Sequence, residues 1–201
     1  MNAAHCLVIF KKVLADYHQI DQVDTPLVNP YASQTIEALL YQKCWVDTVQ
    51  WHLEDLVRDP AIEPIAGIQL KRRIDSSNQL RTDLVEQIDD FFMRDFSKID
   101  VAANAPLNTE SPAWAIDRLS ILALKIYHMQ EEVNRKGAGD LHQQRCASKL
   151  AVLLEQQNDL TGSIDQLLAD ISSGKKRMKV YRQMKMYNDD TLNPVLYQQK
   201  K

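Results

Sequence analysis

Trp51-His52-Leu53-Glu54-Asp55 returns 76 positions later as Tyr127-His128-Met129-Gln130-Glu131. Ile74-Asp75-Ser76-Ser77-Asn78-Gln79-Leu80 returns after 80 positions as Leu154-Glu155-Gln156-Gln157-Asn158-Asp159-Leu160. The offsets differ by four residues, about one helical turn. Such self-similarity predicts an all-α fold, an up-and-down bundle of about six helices containing two related long hairpins, a pseudo-duplication. Each copy carries an aromatic-His-x-x-acid cluster and then an acid-x-x-Asn cluster, polar groups that a plain bundle does not need.

Outward from these strings, apolar residues recur at helical spacing. The pattern predicts helices over about 3–20, 33–58, 64–96, 112–136, 141–172 and 175–187. They form one domain, 1–187, followed by an extended tail, 188–201. Pro26 and Pro30 bar helix on their N-terminal sides. Pro64 suits a first helical turn, and Ser111-Pro112 pairs a capping hydroxyl with a proline at the first helical position. Gly137-Ala138-Gly139-Asp140 reads as a C-cap followed by an N-cap. Only 5 Gly and 7 Pro occur in 201 residues, which favours long helices over many short strands. No segment alternates as a strand does.

The net charge of −3 hides an asymmetry: residues 1–173 carry −9 and residues 174–201 carry +6. An acidic body argues against nucleic acid as a partner. Cys6, Cys44 and Cys146 share no metal-type spacing and are odd in number, as expected of reduced thiols in the cytoplasm. The apolar stretch Ala3–Phe10 is followed, not preceded, by Lys11-Lys12, the wrong order for a secretory signal. No apolar run reaches the roughly 18 residues of a membrane span.

At 100° per residue, polar residues gather on single helix faces. His52 and Asp55 share a face of the second helix, Asp75 and Asn78 of the third, Asp117, His128, Glu131 and Glu132 of the fourth, and Glu155, Asn158 and Asp159 of the fifth. Were these faces to converge, they would form one polar cleft. A His with a carboxylate at i+3 is a proton acceptor or a metal ligand whose ring is held by its neighbour. The ligand-binding candidates are therefore His52, Asp55, Asp75, Asn78, Asp117, Arg118, His128, Glu131, Glu155 and Asn158. Those for catalysis are His128, Glu131, Asp117 and His52. Di-iron bundles use Glu-x-x-His, an order absent from this chain. The second half partly resembles the all-α nucleoside triphosphate pyrophosphatases, with His128-x-x-Glu131 and Glu132 followed by Glu155-x-x-Asn158-Asp159. That resemblance implies Glu131, Glu132, Glu155 and Asp159 as ligands of Mg²⁺ or Mn²⁺. The basic segment 175–187 interleaves cations with Met and Tyr, as an amphipathic helix packed on the body would.

Asn29-Pro30-Tyr31, Gln50-Trp51-His52-Leu53-Glu54-Asp55, Lys71-Arg72-Arg73-Ile74-Asp75, Asn108-Thr109-Glu110-Ser111-Pro112, Asp117-Arg118-Leu119-Ser120-Ile121-Leu122 and Met184-Lys185-Met186-Tyr187-Asn188 together resemble a domain-of-unknown-function family. Its members are all-helical, about 200 residues long, and found mainly in Bacteroidetes-type bacteria. The resemblance implies a bacterial single-domain protein and transfers no catalytic residue. The expected function is a cytoplasmic helical module that binds a partner or a small anionic ligand through a polar His/carboxylate cleft, with a homodimer possible. The alternative is a divalent-metal-dependent phosphohydrolase.

Overall fold

The helix ends follow the capping chemistry of the sequence. In the computed structural model, which describes residues 1–184, 186 and 189–198, α1 spans Ala3–Tyr17, α2 Ile36–Leu56, α3 Pro64–Asp95, α4 Pro112–Asn134 and α5 Asp140–Ser172. Asn2, Thr35 and Ser111 accept hydrogen bonds from His5 N, Ala38 N and Trp114 N at three of the N-termini. The described residues hold no strand, only one isolated bridge between Leu107 and Arg177. No helix among them is long and apolar enough to cross a membrane.

Side-chain pairings give the helix directions. Asp47 meets Arg81 and Gln50 meets Asn78, so α2 and α3 are antiparallel. Arg81 meets Asp117 and Asp89 meets Ala113, so α3 and α4 are antiparallel. Glu132 meets His142 across the α4–α5 turn. Helices α2 to α5 thus run up and down. Helix α1 departs from that alternation. His5 meets Glu37, Cys44 Sγ faces Phe10 O, and His18 meets His52, which makes α1 parallel to α2. Lys43–Asp117, Asp47–Ser120 and His52–His128 make α2 parallel to α4. His52 and His128, the histidines of the two strings, are therefore neighbours. One continuous core joins the helices, with Phe10 and Tyr17 of α1, Leu40 of α2, Ile88 and Phe92 of α3 and Ile116 of α4 all buried.

Three expectations are corrected. Helix α1 stops at Tyr17 with His18 as its C-cap, and the chain turns away through a left-handed Asp21 (φ +55°). The helix expected over 175–187 does not form among its described residues. Gly174 (φ +70°) ends α5, and a Cβ there would lie 2.2 Å from the Asp100 carbonyl oxygen. Ala102 N then donates to Gly174 O (3.1 Å) and Arg177 N to Pro106 O (3.0 Å), so the chain leaves extended along the loop before α4. Arg182 pairs with Glu86 and Asp90 of α3, folding the basic segment back on the acidic body. Lys185 and Tyr187 lie outside the described residues. In the tail expected to be extended, Asn193 caps a four-residue helix, α6, Pro194–Tyr197.

Candidate functional site

Three parallel helices, α1, α2 and α4, end together, and each delivers a histidine. His18 is the first residue beyond α1, His52 lies in the last turns of α2, and His128 in the last turns of α4. Their ring centroids lie 5.3 Å apart in every pair. Tyr17 stacks on His52, Tyr127 on His18 and Trp51 on His128. The aromatic residues of both repeated strings therefore wall the cluster. His18 Nδ1 donates to Leu14 O (2.7 Å), and His128 Nδ1 donates to Glu131 Oε2 (2.8 Å), as the i+3 spacing predicts. His52 turns to His18 (3.3 Å between Nε2 atoms) and to Asp21 Oδ1 (3.5 Å), whereas the expected partner, Asp55, is exposed. Burial, opposed by Asp21 and reinforced by His128 and His18, holds the His52 pKa below its ordinary value. Burial, then Asp21 and Asp24, pushes the Tyr17 phenol up to about 12.

A second locus lies between α2, α3 and α4. Lys43 is fully buried, with Nζ 2.5 Å from Asp47 Oδ2 and 2.7 Å from Asp117 Oδ1, and donates to Asp117 O (3.2 Å). Ser120 Oγ donates to Asp47 Oδ2 (2.6 Å). Arg81 closes the network from α3, its Nε 3.1 Å from Asp117 Oδ1 and one terminal nitrogen 2.5 Å from Asp117 Oδ2. Burial pushes the Asp47 carboxyl upward, while Lys43 pulls it down. Asp47 Oδ1 lies 3.2 Å from Arg81 Nε, within ion-pair reach, but accepts no hydrogen bond of good geometry. Above this network opens a cavity of about 310 Å³. Asp47, Glu54, Asp55, Arg58 and Arg81 are its charged lining, and Trp51, Ile121 and Leu124 its apolar wall. Trp51 thus belongs to both loci.

The predicted residues divide accordingly. His52, His128 and Glu131 meet in the histidine cluster; Asp117 belongs to the buried network with Lys43 and Arg81, and Asp55 lines the cavity; Asn78 accepts from Gln50, another lining residue (2.8 Å). The rest do not converge with these. Asp75 pairs with Lys71, and Arg118 with Glu110 (2.6 Å). Glu155, Asn158 and Asp159 are exposed, because α5 turns Ile164, Leu167, Leu168 and Ile171 to the core. Glu132 instead meets His142 (2.8 Å), which contacts Cys146 Sγ (3.4 Å), and Arg135 Nε sits 3.2 Å from the same carboxylate. Among the described residues, Glu131, Glu132, Glu155 and Asp159 do not come together as the ligand set expected for Mg²⁺ or Mn²⁺.

Lys43, Asp47, Arg81, His18 and Asp21 are functional candidates that the sequence reading missed. Lys43 and Asp47 carried a signal: an i,i+4 ion pair inside the mostly apolar run Leu39–Val49. His18 carried none, since it was placed inside a helix that in fact ends before it.

A family described as "Protein of unknown function (DUF4254)" matches residues 37–180, and the chain belongs to it. No curated protein and no solved structure matches the chain.

Proposed function

We propose that this member of the DUF4254 family is a binding module for a small molecule with an anionic group, held in the cavity over the Lys43–Asp47–Asp117–Arg81 network. Arg81 carries the reading. A guanidinium has five N–H donors in a fixed fork. The Nε and one terminal nitrogen are committed to Asp117 and the group still lines the cavity, so its other donors suit a carboxylate or phosphate. Asp47 Oδ1 is an acceptor in search of a donor, which favours a ligand with a hydroxyl or amino group beside its acidic one. Trp51, Ile121 and Leu124 suit a short apolar body. Ionic groups under an apolar roof add little to stability, because replacing such a network by packed apolar residues is often neutral or stabilising. Three free cysteines favour the cytoplasm, and the resemblance favours a bacterial setting.

The test is a thermal-shift panel of small carboxylates, hydroxy acids, amino acids and sugar phosphates on the full chain. A ligand at 100 times its Kd adds about 2.7 kcal/mol of stability. Ile121→Phe fills the cavity without touching the ionic network and abolishes the shift, leaving the unliganded melting temperature near that of wild type. No shift with any member of the panel, or an equal shift in Ile121→Phe, overturns the reading.

A further inference from the structure

We propose that His18, His52 and His128, with Asp21, form a binding site for one divalent d-block metal ion of the zinc type. The inference stands apart from the cavity described above and shares with it only Trp51. One imidazole nitrogen from each histidine lies within 4.8 Å of the others. Nitrogen ligands 2.0–2.1 Å from one tetrahedral ion are separated by about 3.4 Å. The Nε2 atoms of His18 and His52 are 3.3 Å apart.

The hydrogen bonds behind the rings fix what these atoms offer. The Leu14 carbonyl can only accept, so the proton of neutral His18 sits on Nδ1 and the Nε2 lone pair faces the cluster. The Glu131 carboxylate does the same for His128. A backbone carbonyl and a carboxylate behind ligating histidines are the usual means of orienting such rings. His128 Nε2 is buried and has no hydrogen-bond partner, an unexpected cost for a ring nitrogen with no further role. A plain hydrogen bond between His18 and His52 accounts for two rings and leaves this third lone pair unexplained. One ion 2 Å or so from each nitrogen accounts for all three.

Asp21 supplies the oxygen. Its Oδ1 lies 3.5 Å from His52 Nε2 and 4.0 Å from His18 Nε2. Its left-handed backbone, unusual outside glycine, brings the chain back over the end of α1. The Asp21 side chain is 55% exposed and that of His18 only 9%, so an ion enters past the carboxylate and rests against the rings. A set of three imidazoles and one carboxylate favours Zn²⁺ and its d-block neighbours over the oxygen-seeking Mg²⁺. The Glu132–His142–Cys146 group is the weaker candidate. Its two contacts fall on the same His142 nitrogen, and the Arg135 cation adjoins both Glu132 and His142.

The experiment titrates the chelator-treated full chain with Zn²⁺ by calorimetry and with Co²⁺ by visible absorption. One ion per chain and the intense d–d bands of four-coordinate Co²⁺ are expected. His18→Ala, His52→Ala and His128→Ala each weaken binding at least 100-fold. Asp21→Asn and Glu131→Gln, which spare the packed rings and keep the fold observable by circular dichroism, each weaken it about 10- to 100-fold. A His142→Ala/Cys146→Ala variant binds as wild type does. Absence of Zn²⁺ and Co²⁺ binding by wild type, or unchanged affinity in folded Asp21→Asn and Glu131→Gln, overturns the proposal. Loss of binding in the His142→Ala/Cys146→Ala variant overturns it too, by moving the ion to the other group. None of these results bears on the Ile121→Phe experiment, so the two readings stand or fall separately.

Discussion

Lys43 anchors the charged network of the interior. It lies fully buried between two carboxylates, and removing it leaves Asp47 and Asp117 to share the Arg81 cation in a buried site. Lys43→Met is expected to cost about 3–5 kcal/mol in urea unfolding, the range for a broken buried pair. Lys43→Met/Asp47→Leu is expected to regain part of that loss, because it removes the stranded charge as well. A double variant less stable than Lys43→Met would show that Asp47 is held by Ser120 and Arg81 alone. Exposed ion pairs behave differently. Arg182→Ala, at the surface of α3, is expected to cost less than about 1 kcal/mol. Residues of the candidate site were legible where local spacing carries the contact. His128–Glu131 is an i,i+3 pair, so its hydrogen bond follows from helix geometry. His18 joins the site only because α1 runs parallel to α2, a long-range fact with no local spacing. Arg81 meets Asp117 across 36 positions for the same kind of reason.

At the scale of elements, caps and breakers were readable and the fate of the basic segment was not. Pro64, Ser111-Pro112 and the Gly137–Asp140 turn place the starts of α3, α4 and α5 within a few residues of where they lie. In the segment after Gly174, Val180, Met184 and Tyr187 recur at helical spacing, and spacing alone suggests a helix. Docking overrides it: the Gly174 conformation, the bond from Ala102 and the Arg182 pairs hold the chain extended. Gly174→Ala tests this. The new Cβ has no room beside the Asp100 carbonyl, and a left-handed φ disfavours it further. The variant is expected to lose about 1–3 kcal/mol of stability. Proteolysis should also become faster between residues 174 and 184, since the same residue anchors the strap. Loss of stability with unchanged proteolysis would mean that Arg182 and Arg177 hold the strap without it.

Over the whole molecule, the arrangement places acid-sensitive groups at opposite ends of α4. At its N-terminus, Asp89 accepts from Ser111 Oγ (2.8 Å) and faces Ala113 N (3.4 Å). Burial outweighs those bonds and raises its pKa from 3.8 to about 6. The folded state then binds the proton more tightly than the unfolded chain. Stability from this group is fully present below pH 3.8 and is lost as the pH rises through about 6. At the C-terminal end of α4, the His52 pKa is lowered, chiefly by burial, and the sign reverses. Its contribution is present above pH 6.5 and is lost as the pH falls through its depressed value. His18, His128, Asp21, Asp55, Glu131 and Tyr17 are the titratable groups around it, and protonated His18 and His128 would repel a protonated His52. Acidification should therefore loosen one end of the bundle while tightening the other. Hydrogen exchange, corrected for intrinsic rates and compared at about pH 7 and about pH 5, is the measurement. Amides near Tyr17 and Trp51 should lose protection on acidification, while those near Asp89 and Ala115 gain it. Asp89→Asn should remove the gain and leave the loss, and His52→Gln should do the opposite. A uniform change along the chain would mean that the bundle opens only as a unit, with no local response at either end of α4.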